Sequence, residues 1–423
     1  MSYLCIILCF LLAPTAAFAY LDPGSGAVLV NLLIAGVGAL LFSLRGVFLR
    51  LIGKGDKIEK KQRDEYKEIA ILSEGRQYFA TFEPIVKALI KNNLEFAYYT
   101  LDIEDEILSL ESPYLDARFL GYGSIGFHRA AKIRAKNLLC TTPNIGSKGY
   151  PIAKPAGVDN LIHVFHSIND LSMYRKGSLD HYDSVFMVGD FQKKSIRELE
   201  KKRGLQEKKL LALGILYLDR YQEDAAVTKG EERGEVKALL IASSWGAKGL
   251  FENYGIEFIK ELAGAGYTVI VRPHPQSYAS EPKAIAAIEH ELKKSANVIW
   301  DREISPSRSM QKADLLISDT SSIRFDFAFL FQKPVITLDI AQQAMPGFEH
   351  EDMSELWMIS AAQEIGAVLK PEEIKEIGLR VAEMLRDFDA EKISRYRDET
   401  ISNFGAAGEA MAEYLVAKQG ERE

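Results

Sequence analysis

Apolar residues in this chain fall into short blocks separated by amphipathic runs, and the two patterns alternate along most of its length. Apolar, often β-branched blocks at 69–72, 94–101, 117–120, 137–141, 161–165 and 184–188 read as strands covered on both faces. Between them, 79–91, 125–135 and 191–202 place apolar residues at helical spacing. The pattern weakens at 220–235, where the charged, glycine-containing run 229–235 is the best linker candidate. It then restarts, with strands at 236–242, 267–271, 297–300, 314–317 and 335–338 and helices at 250–263, 282–294 and 323–331. From 371 to 418 the chain reads as helical. Strands alternating with helices predict parallel sheets with helices on both faces. The expected architecture is therefore α/β, with two Rossmann-like doubly wound domains, 69–220 and 236–370, facing across a cleft. Helices over 371–423 follow.

The N-terminal pattern differs. An apolar run at 5–12 ends in Ala17-Phe18-Ala19, the small-x-small form of a processing site, so 1–19 reads as a signal peptide or a first membrane segment. Residues 27–44 form an uncharged stretch at the lower limit for a transmembrane helix. Arg45, Arg50, Lys54, Lys57, Lys60 and Lys61 follow in the juxtamembrane linker 45–68, and this basic flank predicts that everything after it faces the cytoplasm. Because Asp56, Glu59, Asp64 and Glu65 interrupt the basic run, it reads as a solvated linker and not as a lipid-binding patch. The expected location is the cytoplasmic membrane, with a single-pass or hairpin anchor.

Composition narrows the partners. A formal net charge of −7, with no basic stripe interleaved with aromatics, argues against nucleic acid. Of the three cysteines, Cys5 and Cys9 lie in the apolar leader and Cys140 stands alone, so neither a disulfide framework nor a CxxC metal site is available.

Candidate chemistry falls at four predicted strand ends. The segment 161–170 carries His163 and His166. On a helix the two would share a face as metal ligands. Their β-branched and aromatic neighbours favour a strand, which puts the rings on opposite faces, and no third ligand is near. His166 lies where strand gives way to loop, the place for a general base in this architecture, and a neutral imidazole suits that role. A histidine that only hydrogen-bonds locally would look the same, and this is the preferred reading for His163. Second, Arg272-Pro273-His274-Pro275 follows a strand directly. The prolines fix the backbone around His274, and Arg272 adds a cation, a combination suited to a phosphate or pyrophosphate. The alternative is a proline-rich exit loop with a solvated histidine. Third, in Ser318-Asp319-Thr320-Ser321-Ser322 the hydroxyls and amides of Ser321 and Ser322 could donate to phosphate oxygens at a helix start. The carboxylate of Asp319 would repel phosphate, so it is expected to bind a hydroxyl or orient a neighbour. A plain capping turn has the same sequence. Fourth, Ser243, Ser244 and Trp245 could line the cleft. Asp326 could be a buried polar partner, and His128, His181, His290 and His350 read as surface groups. GxxxxGK[ST], HExxH and GxSxG are absent, which leaves P-loop hydrolysis, zinc proteolysis and α/β-hydrolase chemistry without support.

The order of the His166 segment, RPHP at 272–275 and SDTSSIRFDFAFLFQKPVI at 318–336 resembles the CDP-glycerol glycerophosphotransferase family, membrane-associated enzymes of teichoic-acid-type polymer synthesis. The resemblance spans about 161–339. It implies a glycosyltransferase-B (GT-B) fold, with 69–220 as the acceptor domain and 236–370 as the nucleotide donor domain, and transfer of glycerol phosphate from CDP-glycerol to an acceptor hydroxyl, with release of CMP. It also implies that His166 is the base, His274 a second functional histidine, and Arg272, Asp319, Ser321 and Ser322 part of the donor phosphate site. The implied partners are a nucleotide-activated donor, a lipid-linked or glycan acceptor and a membrane, with no cofactor and no metal in the motif. Ser167 stands where the family usually has glycine, which narrows the approach to His166 and leaves a related CDP-polyol or another acceptor open. Two other readings fit the same fold: a glycosyltransferase or epimerase using a UDP-sugar, and a non-catalytic membrane-tethered binding protein.

Overall fold

The apolar strand blocks assemble into two sheets, each wholly parallel. The first sheet has seven strands: β1 (Lys67–Ser73), β2 (Phe96–Thr100), β3 (Leu115–Phe119), β4 (Arg134–Cys140), β5 (Gly157–Val164), β6 (Ser184–Met187) and β7 (Lys209–Ala212), in spatial order 3-2-1-4-5-6-7. The second has six: β8 (Ala238–Ala242), β9 (Thr268–Arg272), β10 (Val298–Trp300), β11 (Leu315–Ser318), β12 (Val335–Leu338) and β13 (Gly366–Leu369), in order 10-9-8-11-12-13. In each sheet the order reverses beside its first strand, and this opens a crevice at the carboxyl ends of β1 and β4, and again at those of β8 and β11. The computed structural model describes residues 65–227, 236–246, 249–303, 305–340 and 347–420. The expected leader at 1–19, the expected span at 27–44 and nearly all of the expected linker at 45–68 lie outside them. No helix of the described residues is long and apolar enough to cross a membrane.

Helical periodicity explains how the first sheet is covered. The helix Phe79–Lys91 buries Phe82, Ile85, Val86 and Leu89, the spacing of one face, against Ile69, Ile71 and Tyr98. The C-terminal helix Ala407–Gly420 joins the same cluster through Met411, Ala412 and Leu415, so the end of the chain completes the first half. The crossing is tight. The Ser402 N–H donates to the Val188 carbonyl at 3.0 Å, and a side chain at Gly189 would collide with the carbonyl of Thr400.

The two halves share one continuous apolar cluster, running from Leu138, Phe165 and Ile215 to Leu316, Phe325 and Phe329. Trp357 stacks between Phe191 of the first half and Phe325 of the second, with ring centroids 4.0 and 4.7 Å away. The helix Leu216–Val227 packs against Ser307–Lys312 and Ile323–Phe331 of the second half. From it the Tyr217 hydroxyl donates to the carboxylate of Asp326. Burial with no cation pushes Asp326 up to about 7. An unfolded aspartate ionises near ~4. The folded protein therefore holds the extra proton between these values, and stability falls as pH rises through that window. Asp326→Asn keeps an acceptor for Tyr217 and removes the titration. Its melting temperature relative to wild type should be higher at about pH 8 than at about pH 5. An equal difference at both pH values would contradict this origin.

Several boundaries differ from the expectation. The expected linker at 220–235 is helical as far as Val227, and the remainder lies outside the described residues. The helix expected at 125–135 ends at Ala130, because Arg134 and Ala135 already pair, as part of β4, with Gly157 and Val158 of β5. The helix expected at 250–263 is broken at Gly255, whose φ of 67° admits a turn, into Leu250–Tyr254 and Glu257–Gly264. The helical tail is three helices, Ile377–Asp387, Ala390–Thr400 and Ala407–Gly420. Strands β7 and β13, too short to carry a period, were not anticipated.

Candidate active site

His163 and His166 separate as strand alternation requires. His163 is fully buried in the core, edge-on to Phe165 and Tyr182 at 4.8 and 5.1 Å, with Nε2 3.4 Å from the Tyr174 hydroxyl. Burial pushes its pKa down to about 3. His166 lies two residues past β5 and is half-buried. Its ring meets Tyr78 edge-on at 5.5 Å. Its Nδ1 is sealed from solvent without a hydrogen-bond partner, and burial pushes its pKa down to about 4. The imidazole is thus neutral and held by packing. The Ser167 hydroxyl, expected to narrow the approach, accepts from Asn169 Nδ2 at 2.8 Å.

His274 lies two residues past β9 and is half-buried. Its Nδ1 is 3.1 Å from the Gln276 N–H and accepts from it, so the proton of the neutral ring is on Nε2, which is left as a donor. Burial and the charge of Arg272 both lower its pKa. Arg272 is not the cleft-facing cation expected from its place beside His274. Its Nη1 pairs with Asp301 at 2.6 Å and its Nη2 donates to the Glu303 carbonyl at 2.7 Å, and the side chain is almost wholly buried. A guanidinium so engaged fixes the exit of β10 against that of β9.

The turn after β11 is organised by Asp319. Fully buried, its carboxylate accepts from the Ser244 amide at 2.9 Å, the Ser244 hydroxyl at 2.8 Å and the Ser321 amide at 3.0 Å. It therefore orients its neighbours, one of the two roles expected of it. It also takes the Ser321 amide that the sequence had offered to a ligand. Ser322, the N-cap of the helix Ile323–Phe331, makes no side-chain cap bond. The half-buried hydroxyls of Ser321 and Ser322 therefore remain at an uncapped helix start, where the dipole favours an anion. On the loop after β8, Ser243 is buried and Ser244 is half-buried. Trp245 between two pinned neighbours is 55 % exposed, because Ser244 is held by Asp319 and the Gly246 amide by Glu281 at 2.7 Å. The ends of β9, β8 and β11 are adjacent in the sheet, so the His274 and Ser321 turns start roughly 10 Å apart at the usual strand spacing.

Arg324 joins this edge to the first half. It is 1 % exposed and donates to the carbonyls of Ser321 at 3.0 Å and Met358 at 3.2 Å and to the Thr337 hydroxyl at 3.1 Å. The amide of the same Met358 donates to Asp170 at 3.0 Å, on the loop that follows His166. The structure thus ties the His166 loop to the Ser321–Ser322 helix start. Neither Arg324 nor Asp170 was singled out from sequence, although an arginine inside the apolar run IRFDFAFLF was a visible signal. Among the described residues no group of three or more His, Cys, Asp or Glu side chains could hold a metal ion. Of the histidines expected at the surface, His128, His181 and His290 are exposed, whereas His350 is half-buried with Nδ1 3.2 Å from the Ser172 carbonyl.

Residues 181–348 match the family described as CDP-Glycerol:Poly(glycerophosphate) glycerophosphotransferase. The wall teichoic acid polymerase TagF, in a CDPG-soaked form, superposes with a TM-score of 0.54 at 16% identity, covering 91% of this chain and 98% of that one. The segment 181–348 is glycerophosphotransferase-like. The two-sheet fold of the chain also matches the UDP-GlcNAc 2-epimerase of Methanocaldococcus jannaschii with UDP-GlcNAc and UDP (TM-score 0.53, 14% identity, 83% of this chain and 99% of that one). The UDP-GlcNAc 2-epimerase of Neisseria meningitidis matches at TM-score 0.54 and 14% identity, covering 83% of this chain and 100% of that one. At these identities the structural likenesses show the GT-B-type fold alone. No curated protein matches the chain in sequence.

Proposed function

We propose that the enzyme moves glycerol phosphate, or a related polyol phosphate, from a CDP-linked donor to an acceptor hydroxyl in cell-envelope glycopolymer synthesis. In this reading it is anchored in the cytoplasmic membrane by its N-terminal segment, and its catalytic halves face the cytoplasm. The observation that carries the chemistry is the pairing of a neutral, unbonded His166 with a donor-rich edge on the second sheet. The acceptor hydroxyl attacks the phosphorus that bears glycerol. A new P–O bond forms, the bond to the inner phosphate breaks with its electron pair, and CMP leaves. The acceptor proton passes to Nε2 of His166. His274 Nε2–H and the hydroxyls of Ser321 and Ser322 donate to the phosphate oxygens. An anionic donor beside His166 raises the affinity of its ring for a proton, which makes the base stronger once the substrate is bound. No cofactor beyond the CDP-linked donor is required.

CMP release from CDP-glycerol by purified membranes tests the activity. The Ser321→Ala/Ser322→Ala double variant removes two hydroxyl donors to a charged group and is expected to raise the donor Kd by about a hundredfold or more, at about 1.5–3 kcal/mol per bond. Turnover or binding of UDP-sugars with none of CDP-glycerol would replace this reading with the sugar-nucleotide one.

A further inference from the structure

The crevice of the first sheet holds polar groups for which the fold provides no partner. Thr141 and Thr142 follow β4; each is 1 % exposed, and neither hydroxyl has a hydrogen-bond partner. Buried hydroxyls are almost always paired, so two orphans in succession at a switch point mark a place built for something else to bind. Glu74 stands on the turn after β1. It is two residues beyond Leu72, which is in register with Cys140, and so comes level with Thr142. The Tyr150 hydroxyl donates to Glu74 Oε1 at 2.9 Å. Burial and the Glu74 charge hold the Tyr150 phenol well above its usual pKa, so it remains a neutral donor. The charge of Glu74 also reaches Tyr78, whose ring packs edge-on to His166. The sealed Nδ1 of His166 is a third orphan at the same edge.

We propose that, on this acceptor half, Glu74 is the specificity-determining residue of the crevice, selecting neutral polyol or sugar hydroxyls and rejecting phosphate-bearing ends. The proposal rests on the transferase reading above. A hydroxyl both donates and accepts, and so do the threonine hydroxyls; a carboxylate with one oxygen held by Tyr150 accepts from an incoming O–H. A phosphate needs donors and would face the Glu74 charge instead. The second sheet offers the opposite set in Ser321, Ser322 and His274 Nε2. Anionic donor and neutral acceptor are thereby sorted to the two sheets, with His166 at the edge of the acceptor crevice.

The test uses the full-length chain with saturating CMP to occupy the donor side. Glycerol and glycerol 3-phosphate, which differ only in the phosphate, are compared for protection of His166 from diethyl pyrocarbonate, with the modified peptide quantified by mass spectrometry. Glycerol should protect wild type at a concentration about tenfold below that of glycerol 3-phosphate. Glu74→Gln should abolish that preference, and its Kd for CDP-glycerol by calorimetry should match wild type. Tyr150→Phe, which keeps the ring and frees Glu74, should weaken glycerol protection severalfold, and it serves as the test if Glu74→Gln does not fold. Equal protection by the two probes in wild type, no protection by either, or an unchanged preference in Glu74→Gln would overturn the proposal. If CDP-glycerol fails to bind wild type, the donor reading fails, whereas the selectivity of the crevice is decided by the protection data.

Discussion

His166→Asn is expected to lower turnover by about 10²–10⁴-fold, the usual contribution of a general base, while changing the melting temperature little. The stability half follows from packing. His166 makes no hydrogen bond, so replacing it strands no partner, and the side-chain amide of the variant puts one polar atom in the place of the unpaired Nδ1. The catalytic half follows from its protonation state: burial holds the ring neutral down to about 4, so it can accept a proton throughout the physiological range. The pH profiles carry a further sign. The acid limb of kcat/KM reports the free enzyme and should lie near the depressed value. The acid limb of kcat reports the complex, where the donor phosphates raise the ring's pKa, and should lie at higher pH. His274→Gln should behave differently. A side-chain amide can replace the Nε2–H donor, so the loss should fall mainly on donor KM and be smaller in kcat. Retained turnover in His166→Asn, or acid limbs that coincide, would remove His166 from the proton transfer.

What the sequence revealed depended on whether the signal was local. Strands covered on both faces must be apolar throughout, so the blocks that became β1, β5 and β11 were legible, as was the helix Ile323–Phe331 between a hydroxyl-rich turn and Lys333-Pro334. The three strand-end motifs were legible for the same reason, because a loop residue flanked by a strand has its position set by the chain next to it. Partners distant in sequence were not legible. Arg272 reads as a free cation beside His274 until β10 brings Asp301 to it. Asp319 reads as an odd carboxylate in a phosphate turn until β8 delivers Ser244 to it. Glu74 and Tyr150 are 76 residues apart and carry no motif, yet the pairing of β1 with β4 sets their loops side by side. The return of Ala407–Gly420 to the first half has the same explanation. Its apolar positions predict a helix, and only tertiary packing chooses the sheet it covers.

Arg324→Met is expected to destabilise the fold by about 3–5 kcal/mol, the cost of removing one member of a buried charge network while the others remain. Arg324 is among the largest fully buried side chains, and burial lowers its pKa to about 10, which still leaves it charged at neutral pH. Its field faces Asp319 and Asp170, both fully buried, and its three donors hold the Ser321 carbonyl, Thr337 and the Met358 carbonyl. Methionine fills much of the volume but leaves two carboxylates without their cation and three acceptors without a donor. Lysine restores the charge but not the planar fork, so Arg324→Lys should recover only part of the loss. A double-mutant cycle with Asp170→Asn should show coupling of about 1 kcal/mol or more, since both residues grip the peptide of Met358 from opposite halves. The cycle separates stability from function as well. At a temperature where Arg324→Lys stays folded, donor KM should rise because the Ser321 carbonyl loses its anchor, while donor-independent protection of His166 by glycerol should persist. Wild-type melting in Arg324→Met, or additive effects with Asp170→Asn, would show that the His166 loop and the Ser321–Ser322 helix start are positioned independently of each other.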